Sequence, residues 1–210
     1  MLSVGAMMLG CPMAQAAESS PQAGPTAGLT QYSDTYYVQH PYDLPESARF
    51  SVTSGPEYNA WIQQGDKPFS QGSGTGPRTE MRWHTNWSGK EHQWQADVLV
   101  DAGTDGACIM QVKGATGGEA IYLNVHGNGA VYNSVSRTPL ATNMWGKWFH
   151  VNSDFDPATG TVKVWINGSL VLNTHYSASS TKVWYFKNGV YNTTGTKAEA
   201  HFKNITFWTK

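Results

Sequence analysis

From about Gln31 onward, apolar and polar residues alternate in short runs set between clusters of Gly, Asn, Asp and Pro. Successive side chains of an extended strand point to opposite faces, so a period of two predicts strands with one buried and one exposed face. The clearest runs are Arg78 to Trp83, His92 to Val100, Cys108 to Lys113, Ala120 to His126 and Trp148 to Asp154. Thr161 to Ile166, Leu170 to His175, Val183 to Tyr191 and Ala198 to Trp208 complete the set. No long segment has helical periodicity, and many short strands at close spacing predict an all-β sandwich or barrel. Asn167-Gly168, between VKVWI and SLVL, is a hairpin signal because both central residues of a type I′ turn need positive φ. Gly127-Asn128-Gly129, between IYLNV and AVYNS, is a second turn.

The alternation also sorts chemistry. Arg78, Glu80 and Arg82 share one face of their strand, with Met81 and Trp83 on the other. Gln111 and Lys113 stand opposite Met110 and Val112, and Tyr185, Lys187 and Tyr191 opposite Phe186 and Val190. Polar alternation is what any half-exposed antiparallel strand shows, and Arg–Glu ladders are common sheet decoration. Three strands with the same habit, presenting guanidinium, amide, ammonium and phenol groups, point beyond decoration. If they are neighbours, Arg78, Arg82, Lys113 and Lys187 face the single carboxylate of Glu80, which makes a binding surface for an anionic ligand.

Composition narrows the partner. With a formal charge of -1 and 14% charged residues there is no global basic signal, so nucleic acid is not an expected partner. No apolar run approaches the roughly 20 residues of a membrane span. Residues 2–13 (LSVGAMMLGCPM) followed by Ala14-Gln15-Ala16-Ala17 read as a signal peptide over residues 1–17. Its basic n-region is missing, which points to a start upstream or an atypical leader, and Cys11 as an acylated lipoprotein cysteine is the lesser alternative. Residues 18–30 (ESSPQAGPTAGLT) read as a flexible linker and 31–210 as one domain of a secreted or periplasmic protein, expected as a monomer. Cleavage would leave Cys108 without an intramolecular partner.

PRTEMR, MQVK and YFKNGVYN, in this order, resemble the three signature strands of the alginate lyase family of polysaccharide lyases (family seven), R-[ST]-E-L-R, Q-[IV]-H and Y-F-K-A-G-[VI]-Y-N-Q. GKWFHVNSDFDPATGTVKVWING is similar to the family's segment before the last motif, and the likeness spans most of residues 78–208. It implies a β-jelly roll (concanavalin-like sandwich) with a concave substrate-binding sheet, and cleavage of an anionic polysaccharide by β-elimination without a cofactor or metal. Glucuronan lyases share the fold and a related last motif. By motif position, the resemblance gives Arg78 and Gln111 the uronate carboxylate and Tyr191 the proton transfers. Glu80 would orient Arg78 and Arg82, with Tyr185 and Lys187 in the binding surface. A phenol has an ordinary pKa of about 10, so the cations around Tyr191 are expected to favour its phenolate. Lys113 stands where the family keeps a catalytic His; it supplies charge but is a weak base. Asn188 and Thr193 replace the usual Ala and Gln.

A non-catalytic module that binds acidic carbohydrate is the alternative that the Lys113 change leaves open. A glycoside hydrolase ranks last, because Glu80 stands alone between two arginines and two catalytic carboxylates are needed. The seven His show no close metal-ligand pairing in sequence. Asp101 to Asp105 reads as a plain turn sooner than a calcium loop. Trp61, Trp87, Trp94, Trp145 and Trp184 are candidates for sugar stacking but are expected mostly in the core. Asn86, Asn167, Asn192 and Asn204 begin glycosylation sequons; a glycan on Asn192, beside Tyr191, would obstruct the cleft.

Overall fold

A computed structural model describes residues 25–134 and 138–210. The expected signal peptide and most of the expected linker lie outside the described residues. The strands are β1 (Thr30–Tyr32), β2 (Tyr36–Gln39), β3 (Phe50–Thr53), β4 (Glu57–Gln63), β5 (Arg78–Trp83), β6 (His92–Val100), β7 (Ala107–Gly114) and β8 (Glu119–His126). They continue as β9 (Ala130–Asn133), β10 (Thr138–Ala141), β11 (Trp148–Asp156), β12 (Thr161–Ile166), β13 (Ser169–His175), β14 (Trp184–Tyr191) and β15 (Lys197–Thr209). One turn of 3₁₀ helix, Glu46–Ala48, precedes β3.

All pairings between these strands are antiparallel, in two sheets. The eight-stranded sheet runs β13-β12-β11-β6-β15-β4-β3, with β1 also paired to β15. The seven-stranded sheet runs β10-β9-β8-β7-β14-β5-β2. Their inner faces meet in one core that includes Trp94, Trp184, Phe149, Phe155, Phe186 and Phe202, all fully buried. Each such side chain contributes about 1.5–3 kcal/mol relative to exposure, so a sandwich of this size needs no disulfide. Cys108 is itself buried, and that burial, with the Glu80 charge beside it, pushes its thiol pKa well up. The molecule is a two-sheet jelly roll, as the resemblance implied.

Each of the nine expected strands is present, with ends shifted by two residues or fewer. Asn167 (φ 50) and Gly168 (φ 77) both take the positive φ that their hairpin demands. The segment from Asp101 to Asp105 is a turn, in which the two carboxylates engage different partners, His201 and Thr194. Strands β1 to β4 and β10 were not foreseen, and β9 only as the far arm of the second turn. The first three are short and β3 is largely exposed, so their patterns carry little periodicity.

Strand β14 pairs with β7 on one side and β5 on the other, and so joins the three motif strands. Two local features fix this contact. Asn188 turns inward and accepts a hydrogen bond from the Trp83 indole at 2.6 Å, which pins β14 to β5 beneath the surface. Gly189 has φ 146, and a Cβ there would lie 2.2 Å from the Thr79 carbonyl oxygen and 2.6 Å from the Glu80 Cα. Gly189→Ala is therefore expected to lower the unfolding free energy by at least about 2 kcal/mol, through backbone strain and forced separation of the strands. Denaturant titration checks this; an Ala variant as stable as the parent would contradict so close a backbone approach.

Candidate active site

Register brings the motif residues into rows across the outer face of the seven-stranded sheet. Lys187 lies between Gln111 on β7 and Arg82 on β5, Tyr185 is opposite Lys113, and Tyr191 is opposite Arg78. The eight candidate residues thus share one surface, which the alternation required but could not by itself establish.

Glu80 is the hub. Its side chain is 1% exposed although it stands on the outward face. A buried carboxylate is costly unless it is paired and hydrogen-bonded. Glu80 accepts from Gln111 Nε2 at 2.5 Å on one oxygen, and on the other from Lys187 Nζ and, at 3.4 Å, from Arg78 Nη1. The expectation that Glu80 orients both arginines is corrected here. Arg82 instead donates to the Trp83 carbonyl and to Asn86 Oδ1, and its guanidinium lies 3.8 Å from the Tyr185 ring centroid. Register explains it: Glu80 lies between the two arginines along β5, and its carboxylate is taken up by donors from β7 and β14.

Lys187 is 4% exposed and bound to Glu80, so it supports the surface from beneath. Burial lowers its pKa, the Glu80 charge opposes that, and Arg78 adds to it. Gln111 spends one amide N–H on Glu80 and keeps a second, since an amide nitrogen carries two. The Arg78 guanidinium lies 4.2 Å from the centre of the Tyr191 ring, a cation–π distance that sets the two side chains together at the surface.

Sequence reasoning missed two residues here. Glu119, the first residue of β8, forms an ion pair with Lys113, so a second carboxylate adjoins the site. The expected strand began one residue later, which hid Glu119. Tyr122, also on β8, meets the Tyr191 ring edge to face at 6.4 Å. Together with Ser134 these residues and Tyr191 line an open cavity of about 340 Å³. The alternation in IYLNV was the available signal for Tyr122. Among the described residues named here, four cations (Arg78, Arg82, Lys113, Lys187) stand against two carboxylates (Glu80, Glu119), a local excess of two positive charges.

Tyr122, Tyr185 and Tyr191 lie on this surface, with Tyr37 of β2 beside Tyr185 and opposite Arg82. Burial pushes the pKa of Tyr122 far up, with the Cys108, Tyr191, Glu80 and Glu119 charges adding to it. Burial also raises Tyr185, against the lowering pull of Arg82 and Lys113. Both are held neutral and are poor bases. Trp94 and Trp184 are wholly in the core and Trp87 nearly so, which removes them as sugar-stacking candidates; Trp61 and Trp145 are part-exposed.

A family model described as alginate lyase matches residues 32–208. Among solved structures, an alginate lyase of Pseudomonas aeruginosa superposes with a TM-score of 0.66 at 17% identity, covering 82% of this chain and 97% of that one. A marine alginate lyase of Zobellia galactanivorans superposes with a TM-score of 0.62 at 14% identity, covering 86% and 95%. At such identity these likenesses speak for the fold. A curated relative, the citrate-binding protein of Hevea brasiliensis, is 36% identical over 196 residues, 89% of this chain and 79% of that protein. The family match takes in both sheets and all three motif strands, and on that extent the chain belongs to the alginate lyase family.

Proposed function

We propose that the chain is a secreted lyase that cleaves a (1→4)-linked polyuronate, polymannuronate or glucuronan, by β-elimination. The observation that carries this reading is the Tyr191 phenol set against the Arg78 guanidinium, on a surface braced by the buried Glu80 hub. Removal of the C-5 proton sends its electron pair into a developing C-4 to C-5 double bond, and charge builds on the uronate carboxylate as it becomes enolate-like. Arg78 and the second amide N–H of Gln111 stabilise that charge, in the manner of preorganised donors at an oxyanion. The Tyr191 oxygen accepts the C-5 proton and a proton passes from it to O-4 as the C-4 to O-4 bond breaks, so the proton count closes on one residue. Lys113 adds positive charge, tempered by Glu119.

A second reading, a non-catalytic module for acidic ligands, is favoured by the identity with the citrate-binding protein. The excess positive charge of the face suits a small polycarboxylate as well as a polyuronate. Incubation with polymannuronate, polyguluronate, glucuronan and pectate, following the ultraviolet absorbance of the unsaturated product, separates the two. Turnover supports the lyase; no absorbance change on any polymer, with calorimetric binding of citrate, supports the module.

Tyr191→Phe keeps the ring against Arg78 and removes the proton carrier, so kcat is expected to fall at least ~10²-fold with near-normal substrate binding. Retention of more than half the activity would refute the assignment. Initial rates are expected to survive chelator while circular dichroism shows an intact fold; activity lost and then restored by one metal would mean that a metal serves the reaction, at the carboxylate or through the order of the site.

Stereochemistry follows from Lys113. In mannuronate and glucuronate the C-5 hydrogen and O-4 lie on the same face of the ring, and Tyr191 serves both. In guluronate they lie on opposite faces, and a separate base is needed. Lys113 is engaged in an ion pair with Glu119 and is unsuited to that task. Initial rates on polymannuronate or glucuronan should exceed those on polyguluronate, and Lys113→His should raise the guluronate rate. A clear preference of the parent chain for polyguluronate would be the contrary result.

A further inference from the structure

The outer face of the eight-stranded sheet carries a cluster unrelated to the lyase reading. Glu199 and His201 are two residues apart on β15 and project to the same side, while Ala198, Ala200 and Phe202 fill the core. Asp101 follows the end of β6, and its backbone N–H donates to the Glu199 carbonyl at 3.1 Å, which brings the Asp101 carboxylate alongside. His201 Nε2 lies 3.3 Å from Asp101 Oδ1 and 3.5 Å from Glu199 Oε1. The ligand atoms of the three residues are all within 4.8 Å of one another. On the opposite edge of the ring, Nδ1 lies 3.0 Å from Glu57 Oε1 at the start of β4.

These distances are of two kinds. The Nδ1 contact has the length of an ordinary N–H···O hydrogen bond, about 2.9–3.0 Å. The Nε2 separations are longer, and they match another geometry. Bonds of about 2.0–2.2 Å to nitrogen and oxygen at tetrahedral angles set neighbouring ligand atoms about 3.3–3.5 Å apart. In the tautomer that carries its proton on Nδ1 and donates it in a hydrogen bond to Glu57, the Nε2 lone pair is directed between two carboxylates, an arrangement that a cation would stabilise. A carboxylate behind the ring is the usual means by which a ligating histidine is oriented. Lys197 engages the other Glu199 oxygen, Oε2, and leaves Oε1 toward His201.

We propose that Asp101, Glu199 and His201 bind one divalent first-row transition cation of the zinc type, with Glu57 positioning the imidazole. An imidazole among carboxylates suits such metals, whereas calcium takes oxygen ligands. Three protein ligands leave the fourth position to water. The site is structural in placement: it ties the loop after β6 to the last strand. That loop in turn holds the segment after Tyr191, through Thr194 N to the Asp105 carbonyl at 2.9 Å and Thr194 Oγ1 to Asp105 Oδ2 at 2.6 Å.

The test uses the full chain, stripped with chelator, exchanged into metal-free buffer, and titrated with zinc by calorimetry and by thermal melting. One tight equivalent and a raised Tm are expected, and cobalt in its place should give the visible absorption of a tetrahedral centre. His201→Asn should abolish the tight equivalent, and Glu57→Gln should weaken it ~10- to 100-fold while leaving the stoichiometry unchanged. Should His201→Asn fail to fold, Asp101→Asn, at the more exposed ligand, is expected to weaken zinc at least ~10-fold. The proposal is overturned if the parent chain binds no zinc, if the folded ligand variants bind it as tightly as the parent, or if calcium raises the Tm equally.

Discussion

A single buried carboxylate organises the candidate active face. Glu80 stands on an outward-facing position yet is hidden from water, and that is tolerable only because Gln111, Lys187 and Arg78 converge on it from three adjacent strands. Each donor is fixed by the bond it makes there. The cost of burying a charge is thereby converted into rigidity of the amide, ammonium and guanidinium that bind it. Preorganisation of this kind is worth more than added charge, because donors that need not move lose no energy in reorienting as the reaction charge develops.

The backbone makes this hub possible. Gly189 lies opposite Glu80 and has no side chain to hold β14 away from β5, while the Trp83 indole and Asn188 pin the same strands on the inner side. Asn188, which departs from the family's usual alanine, is thus an internal fastening with no direct part in the outer face. Lys187 also changes meaning. Its placement among the cations suggested a ligand for substrate; its burial makes it the counter-charge of Glu80. Tyr191 and the Arg78 guanidinium that stacks on it lie together above this hub.

Much of this was legible in the chain because strand alternation is local. Which residues of 78–83, 108–113 and 183–191 share a face follows from a period of two, and the motifs fixed which strands to read together. Pairings between distant segments are not local, and there the reading stopped. Glu119 was hidden by a strand boundary one residue off, yet it changes what Lys113 can do. The partition of Glu80 among Gln111, Lys187 and Arg78 to the exclusion of Arg82 depends on register and on where long side chains find partners. His201 looked isolated because two of its neighbours, Glu57 and Asp101, arrive from β4 and from the end of β6.

The two faces of the sandwich differ in the charge they gather. The seven-stranded sheet gathers positive charge outward, which is repulsive in itself and is held by Glu80 and Glu119. The eight-stranded sheet gathers Glu57, Asp101 and Glu199 around one imidazole, a concentration of negative charge that calls for a cation. The loop between β6 and β7 connects these regions, with Asp101 at one end in the acidic cluster and Asp105 at the other bound to Thr194, three residues after Tyr191. Because that loop is short and hydrogen-bonded at both ends, with Thr104 Oγ1 donating to the Glu199 carbonyl at 3.1 Å, order at the cluster restrains the segment that follows Tyr191. Position of the phenol is then set from two directions: from beneath through Arg78 and the Glu80 hub, and from behind through the loop that the opposite sheet anchors.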